Sequence, residues 1–173
     1  MAPFDRDARI SDPLDFHLAE NRVTLFWRQN VLEEAIDWLL AHGYEVVRLN
    51  ASNWMTEADL HRDFAQALSF PDYYGGNLAA LNDCLSDIGT GPSDATGLVL
   101  VLIGYDGFAT RHREVAQAAL DIIARNALSA MMFGHRMFCL VQSADPNVEF
   151  EPMAAIDVGW NRAEWLTDTR DGA

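Results

Sequence analysis

Six consecutive apolar residues, Leu98, Val99, Leu100, Val101, Leu102 and Ile103, constrain this chain more than any other feature. A strand that leaves one face to water alternates apolar with polar side chains, so a short unbroken apolar run marks a strand covered on both faces. Strands of that kind belong to parallel sheets, whose crossover connections lay helices over the faces. The neighbouring sequence supplies such units. Val23 to Trp27 reads as a strand and Asn30 as the N-cap of a helix from Val31 to His42. Leu32, Ala35, Ile36 and Leu39 make one stripe of that helix, which Gly43 ends, and Tyr44 to Leu49 reads as the next strand. A strand–helix–strand run of this length implies a right-handed crossover and parallel pairing, so the first strand is expected to extend the sheet.

The other elements follow from caps and periodicity. Met55, Thr56 and Leu60 suggest a hydrophobic staple and an N-cap for a helix from Glu57 to Leu68, with Leu60, Phe64, Ala67 and Leu68 inward and Pro71 just beyond its end. Gly89 to Gly97 is a turn-rich loop. Thr110 is expected to cap a long helix through about Ala130, with Val115, Ala119, Ile122 and Ile123 in its stripe, and Gly134 closes it before a strand at Met137 to Gln142. Residues 1 to 22, polar and without a clear period, read as a loosely held arm or irregular cover. The tail from Ser143 offers a possible strand at Ala155 to Val158, and its Trp160 and Trp165 are expected to pack back, as core or packing residues like Trp27, Trp38 and Trp54. The whole reads as one α/β domain over residues 1–173.

Half of the 173 residues are hydrophobic, enough for a sizeable core without metals or disulfides. With 26 acidic against 12 basic residues, the chain argues against a nucleic-acid-binding surface and suits a basic protein partner, although such a balance also serves solubility alone. Cys84 and Cys139 have neither CxxC spacing nor the density of a secreted disulfide scaffold, and no run reaches the ~18 apolar residues of a membrane span. Charges run through the first sixteen residues with no signal-like apolar stretch, so a cytoplasmic protein is expected.

One stretch looks built to present a surface. In PDYYGGNLAALNDCLSDI, from Pro71 to Ile88, Tyr73 and Tyr74 lead into Gly75 and Gly76, where the backbone can turn, and Asn77 stands as N-cap of a helix beginning at Leu78. At about 100° per residue, Leu78, Leu81, Leu85 and Ile88 share one side with Cys84 beside them, while Ala79, Asn82, Asp83, Ser86 and Asp87 share the other. Tyr73, Tyr74, Gly75, Gly76, Asn77, Asn82, Asp83 and Asp87 are therefore the candidate partner-binding residues, with Asp83 the strongest and Asn77 chiefly structural. Pattern alone would leave Asp83 a solvated helix carboxylate and the tyrosines local packing. A phosphate-cradling loop is disfavoured, since no strand, GxxxxGK or GxGxxG precedes the glycines.

The motif Tyr-Tyr-Gly-x-Asn-Leu-x-Ala-Leu-x-Asp-Cys-Leu resembles the signature of the barstar family, intracellular protein inhibitors of microbial ribonucleases. The likeness extends more weakly over Tyr44 to Gln142, where the order of elements is similar to that family's small parallel α/β domain. The resemblance implies a barstar-like core at 44–142, enlarged by an N-terminal β-α unit within residues 1–43 and by a C-terminal tail at 143–173. It also implies a function: Asp83 would enter the cationic active site of a basic ribonuclease in place of a substrate phosphate, with Tyr73 at the interface and Tyr74 divided between partner and core. Ala79, Gly76 and Asn82 depart from the family's acidic, glutamate and tryptophan positions. An outlying acidic contact falls near Arg125, with Asp121 one turn away as a partial substitute.

Catalysis finds little support. His17, His42, His61, His112 and His135 are scattered without ligand spacing and read as surface or cap residues, and no GxSxG elbow is present. Asp83 with Asp87 as a metal-holding carboxylate pair is the distant enzymatic reading. The expectation is a protein inhibitor with no cofactor, no metal and no turnover. Its alternatives are an immunity protein for a toxin that is not a ribonuclease, or a regulatory module for another cell protein.

Overall fold

The computed structural model describes residues 13–90 and 94–166. Five parallel strands stand in the order β2-β3-β4-β1-β5, where β1 is Val23–Phe26, β2 Glu45–Asn50, β3 Leu98–Ile103, β4 Met137–Gln142 and β5 Gly159–Trp160. The apolar run of β3 lies between β2 and β4, with Leu100 opposite Cys139 and Val101 opposite Leu140, and Val99 through Leu102 are all but inaccessible. Alternation of side chains divides the core in two. Val99, Val101, Phe138, Leu140 and Phe26 face α1 (Pro13–Asn21) and α2 (Gln29–Ala41). Leu49, Leu100, Leu102, Cys139 and Val141 face α3 (Glu57–Ala67), α4 (Leu78–Thr90), α5 (Tyr105–Arg111) and α6 (Arg113–Met132).

Local signals account for much of this. Thr56 accepts from the Asp59 backbone N–H while the Asp59 carboxylate takes the N–H of Thr56, a reciprocal capping box that starts α3. Leu32, Ala35, Ile36 and Leu39 are the buried residues of α2, and Gly43 leaves that helix at φ +79°. Leu60 and Phe64 anchor α3 at 0 % exposure, whereas Ala67, expected inward, is exposed in the last turn of the helix.

Elsewhere tertiary contacts override the local pattern. The first strand extends the sheet, but beside β4 and β5 rather than β2, so α2 crosses over β4 and β3, and its apolar stripe shares a core with both. Where an irregular arm was expected, residues 13–21 form α1, anchored by the buried Leu18; residues 1–12 lie outside the described residues. Asn30 is not the cap of α2. That helix begins at Gln29, and the buried Glu164 carboxylate accepts the backbone N–H groups of Trp27 and Arg28 at 2.9 and 2.8 Å, placing a negative charge at the positive end of the helix.

Thr110 likewise lies inside α5, its hydroxyl donating to the Asp106 carbonyl at 2.8 Å. The long helix is interrupted at His112 (φ −132°, ψ 55°), whose Nε2 bonds the Met55 carbonyl at 2.8 Å. In the tail no strand forms over Ala155 to Val158. Ala154 and Ala155 take left-handed φ values of 48° and 63°, turning the chain between bridged Met153 and Ile156 before β5. Trp160 is half-buried as expected, but Trp165 is 67 % exposed, because its neighbour Glu164 takes the inward position. Of the expected loop at Gly89 to Gly97, Gly89 and Thr90 continue α4, and residues 91–93 lie outside the described residues.

Candidate functional site

The start of α4 is fixed by a side chain and a glycine. The Asn77 Oδ1 accepts the Ala80 N–H at 2.9 Å, and its Nδ2 donates to the Gly75 carbonyl at 3.3 Å. Gly76 takes φ +59° in open space, so it is the backbone angle and not crowding that calls for glycine there. From this cap the helical period turns Leu81 and Leu85 fully inward, each burial contributing roughly 1.5–3 kcal/mol. Leu78, Ile88 and Cys84 are half-buried, and Ala79, Asp83 and Asp87 are exposed.

The preceding loop divides its two tyrosines. Tyr73 is 85 % exposed. Tyr74 is half-buried, with its ring 4.9 Å from that of Phe70 and its hydroxyl hydrogen-bonded to His61 Nδ1 at 2.6 Å. Burial, and then the nearby Cys84 sulfur, push the Tyr74 phenol up to about 12. His61 corrects the expectation of surface or cap histidines. It is 3 % exposed on α3, with Nε2 3.4 Å from Glu57. The spacing that reveals it was present, since His61 stands three residues before Phe64 and seven before Leu68, on the stripe that packs inward.

Asn82, expected outward with the aspartates, is half-buried and turned toward α6. The Asn126 Nδ2, on a side chain with 5 % exposure, donates to Asn82 Oδ1 at 3.1 Å and to the Ile122 carbonyl at 2.9 Å. A second helix packed along this flank of α4 removes Asn82 from the exposed face that periodicity alone assigned it. On the outer side of α6, Arg125 pairs with Asp121 at 2.9 Å, and Asp121 also accepts the Ala154 N–H at 2.9 Å, so Asp121 is committed within the fold.

Arg28 pairs with Glu164, Arg48 with Glu33, Arg62 with Asp59 and Asp63, and Arg125 with Asp121, and none of these pairs engages Asp83 or Asp87. Asp83 and Asp87 thus present negative charge to solvent, four residues apart on one helix face. Cys84 sits between them, its thiol pushed up by burial and then by Asp87 and Asp83. Among the described residues, no three His, Cys, Asp or Glu side chains gather as a metal site, and no helix is long and apolar enough to cross a membrane. The arrangement is an acidic helix face anchored by the buried Leu81 and Leu85 and flanked by an exposed aromatic ring.

A family model described as "Barstar (barnase inhibitor)" matches residues 44–142, which span β2 through β4 and include the whole α4 surface. No curated protein matches the chain.

Proposed function

Because the chain belongs to the barstar family, a family of protein-binding inhibitors, we propose that it binds a basic ribonuclease and occludes its active site. The observation that carries this reading is Asp83, held on α4 by the buried Leu81 and Leu85, exposed, and outside every arginine ion pair of the described residues. A carboxylate presented this way suits a cluster of Arg and Lys side chains that otherwise holds a phosphate, because charge-assisted hydrogen bonds replace those made to the substrate. Tyr73 supplies amphipathic ring area beside it, and Asp87 a second charge. Gly75, Gly76 and Asn77 set the loop and the helix start, while Tyr74 and Asn82 contribute through the packing that holds the surface in place. Inhibition is by occlusion, without cofactor or turnover.

Ala79 and the engaged Asn82 on α4, together with Arg125 on the outer side of α6, depart from the family pattern, which favours a nuclease with a different active-site rim from barnase. The same features fit a second reading, an immunity protein for a toxin that is not a ribonuclease. Titrating a panel of basic microbial ribonucleases, barnase included, tests the first reading. One-to-one loss of RNA cleavage that chelators do not alter is expected. Unimpaired cleavage across the panel by folded protein would contradict it.

A further inference from the structure

Between the Tyr73 loop and the last turns of α4 lies a pocket of about 270 Å³. Phe70, Pro71 and Ile88 form apolar walls, Tyr73 stands at the rim, and α4 contributes Cys84 and Asp87. No basic residue is among those that line it. These walls accept methylene groups, while the exposed Asp87 carboxylate calls for a cation. An anionic occupant would be repelled by Asp87, with Asp83 one turn, about 6 Å, along the helix. A purely apolar occupant would strip water from Asp87 and return nothing. A long aliphatic stem ending in positive charge meets both demands.

We propose that this pocket is a subsite for a lysine or arginine side chain of the protein partner, its stem against Phe70, Pro71 and Ile88 and its cationic head at the Asp87 carboxylate. The inference rests on the reading of the α4 surface as nuclease-binding and deepens it by naming a second anchor, distinct from Asp83, with a defined spacing from it.

Cys84 provides a reporter, since it lines the pocket while Cys139 is buried in the sheet. The test takes the full chain with any ribonuclease of the panel that it binds, and Asp83→Ala as the control for the nuclease reading. Asp87→Asn should weaken the complex about tenfold at low salt, and complex formation should protect Cys84 from iodoacetamide. Absence of either effect, in a complex that Asp83→Ala does weaken, overturns the subsite and leaves the nuclease reading standing. If no ribonuclease binds, that reading fails, and the pocket is decided on the free chain by amide NMR titration with N-acetyl-arginine amide and its uncharged norleucine counterpart. Shifts at residues 70–73 and 84–88 with arginine alone, lost in Asp87→Asn, support the subsite. Equal shifts with both, or none with either, overturn it.

Discussion

His61 Nδ1 stands 2.6 Å from the Tyr74 hydroxyl, tying the loop that carries the exposed Tyr73 to the buried side of α3. Tyr74→Phe keeps the ring on Phe70 but leaves a buried imidazole nitrogen without this partner. The expected cost is about 1–2 kcal/mol, read as a lowered midpoint of urea unfolding. An unchanged midpoint would show that the bond does not hold the loop.

The same hydroxyl gives a pH signature. The Tyr74 phenol is pushed up to about 12, mainly by burial, so the unfolded chain releases this proton first as pH rises. Its stabilising contribution is complete below about pH 10 and is lost as pH climbs toward 12. Tyr74→Phe should therefore lose less stability than the unmodified chain between about pH 10 and 12, in urea unfolding followed at several pH values. Parallel losses would contradict the assignment.

Asn126 joins α6 to α4 by donating to Asn82 and to the Ile122 carbonyl. Asn126→Ala removes both bonds from a buried site and should cost about 1–3 kcal/mol. Asn82→Ala leaves the bond to Ile122 and should cost about 1 kcal/mol. Equilibrium denaturation of the two variants checks the order: no loss in Asn82→Ala would show that Asn82 is not held by this contact, and equal losses would show that the bond to Ile122 contributes nothing.

Glu164 links the tail to the start of α2. It accepts from Trp27 N and Arg28 N, from Arg28 Nε at 3.0 Å and from Asn161 Nδ2. Glu164→Ala is expected to cost about 2–3 kcal/mol, against about 1 kcal/mol for Thr56→Ala at the cap of α3. Thermal or urea unfolding that ranked Thr56 above Glu164 would contradict the role of the tail carboxylate.

What was legible in the sequence is what local chemistry decides. The unbroken run at 98–103 marked a covered strand, Thr56 and Asn77 announced helix starts, and helical spacing sent Leu81 and Leu85 inward and Asp83 and Asp87 outward. What was not legible depends on residues far apart in the chain. Strand order places β1 beside β4, with α2 packed across the sheet between β1 and β2, a pairing between segments more than a hundred residues apart. The backbone N–H of Arg28, the N-cap residue of α2, is taken by a carboxylate 136 residues away, which no local cap signal reveals. The break at His112 is held through Met55, and Asn82 turns to α6 because that helix lies along its flank. In the site itself, periodicity reaches the aspartates and carries the signal that turns His61 inward, but the bond from His61 to Tyr74 beneath the loop depends on tertiary packing.

The central claim turns on one carboxylate. Calorimetric titration of a ribonuclease that the chain inhibits, with the unmodified protein and with Asp83→Ala, measures it most directly. Because Asp83 is exposed on α4, its removal should leave the unfolding midpoint nearly unchanged. Binding should weaken by about 2 kcal/mol or more, a factor of about 30, as for a central interface residue. Equal affinity of the two proteins for the same nuclease would contradict the claim that α4 plugs the active site through Asp83.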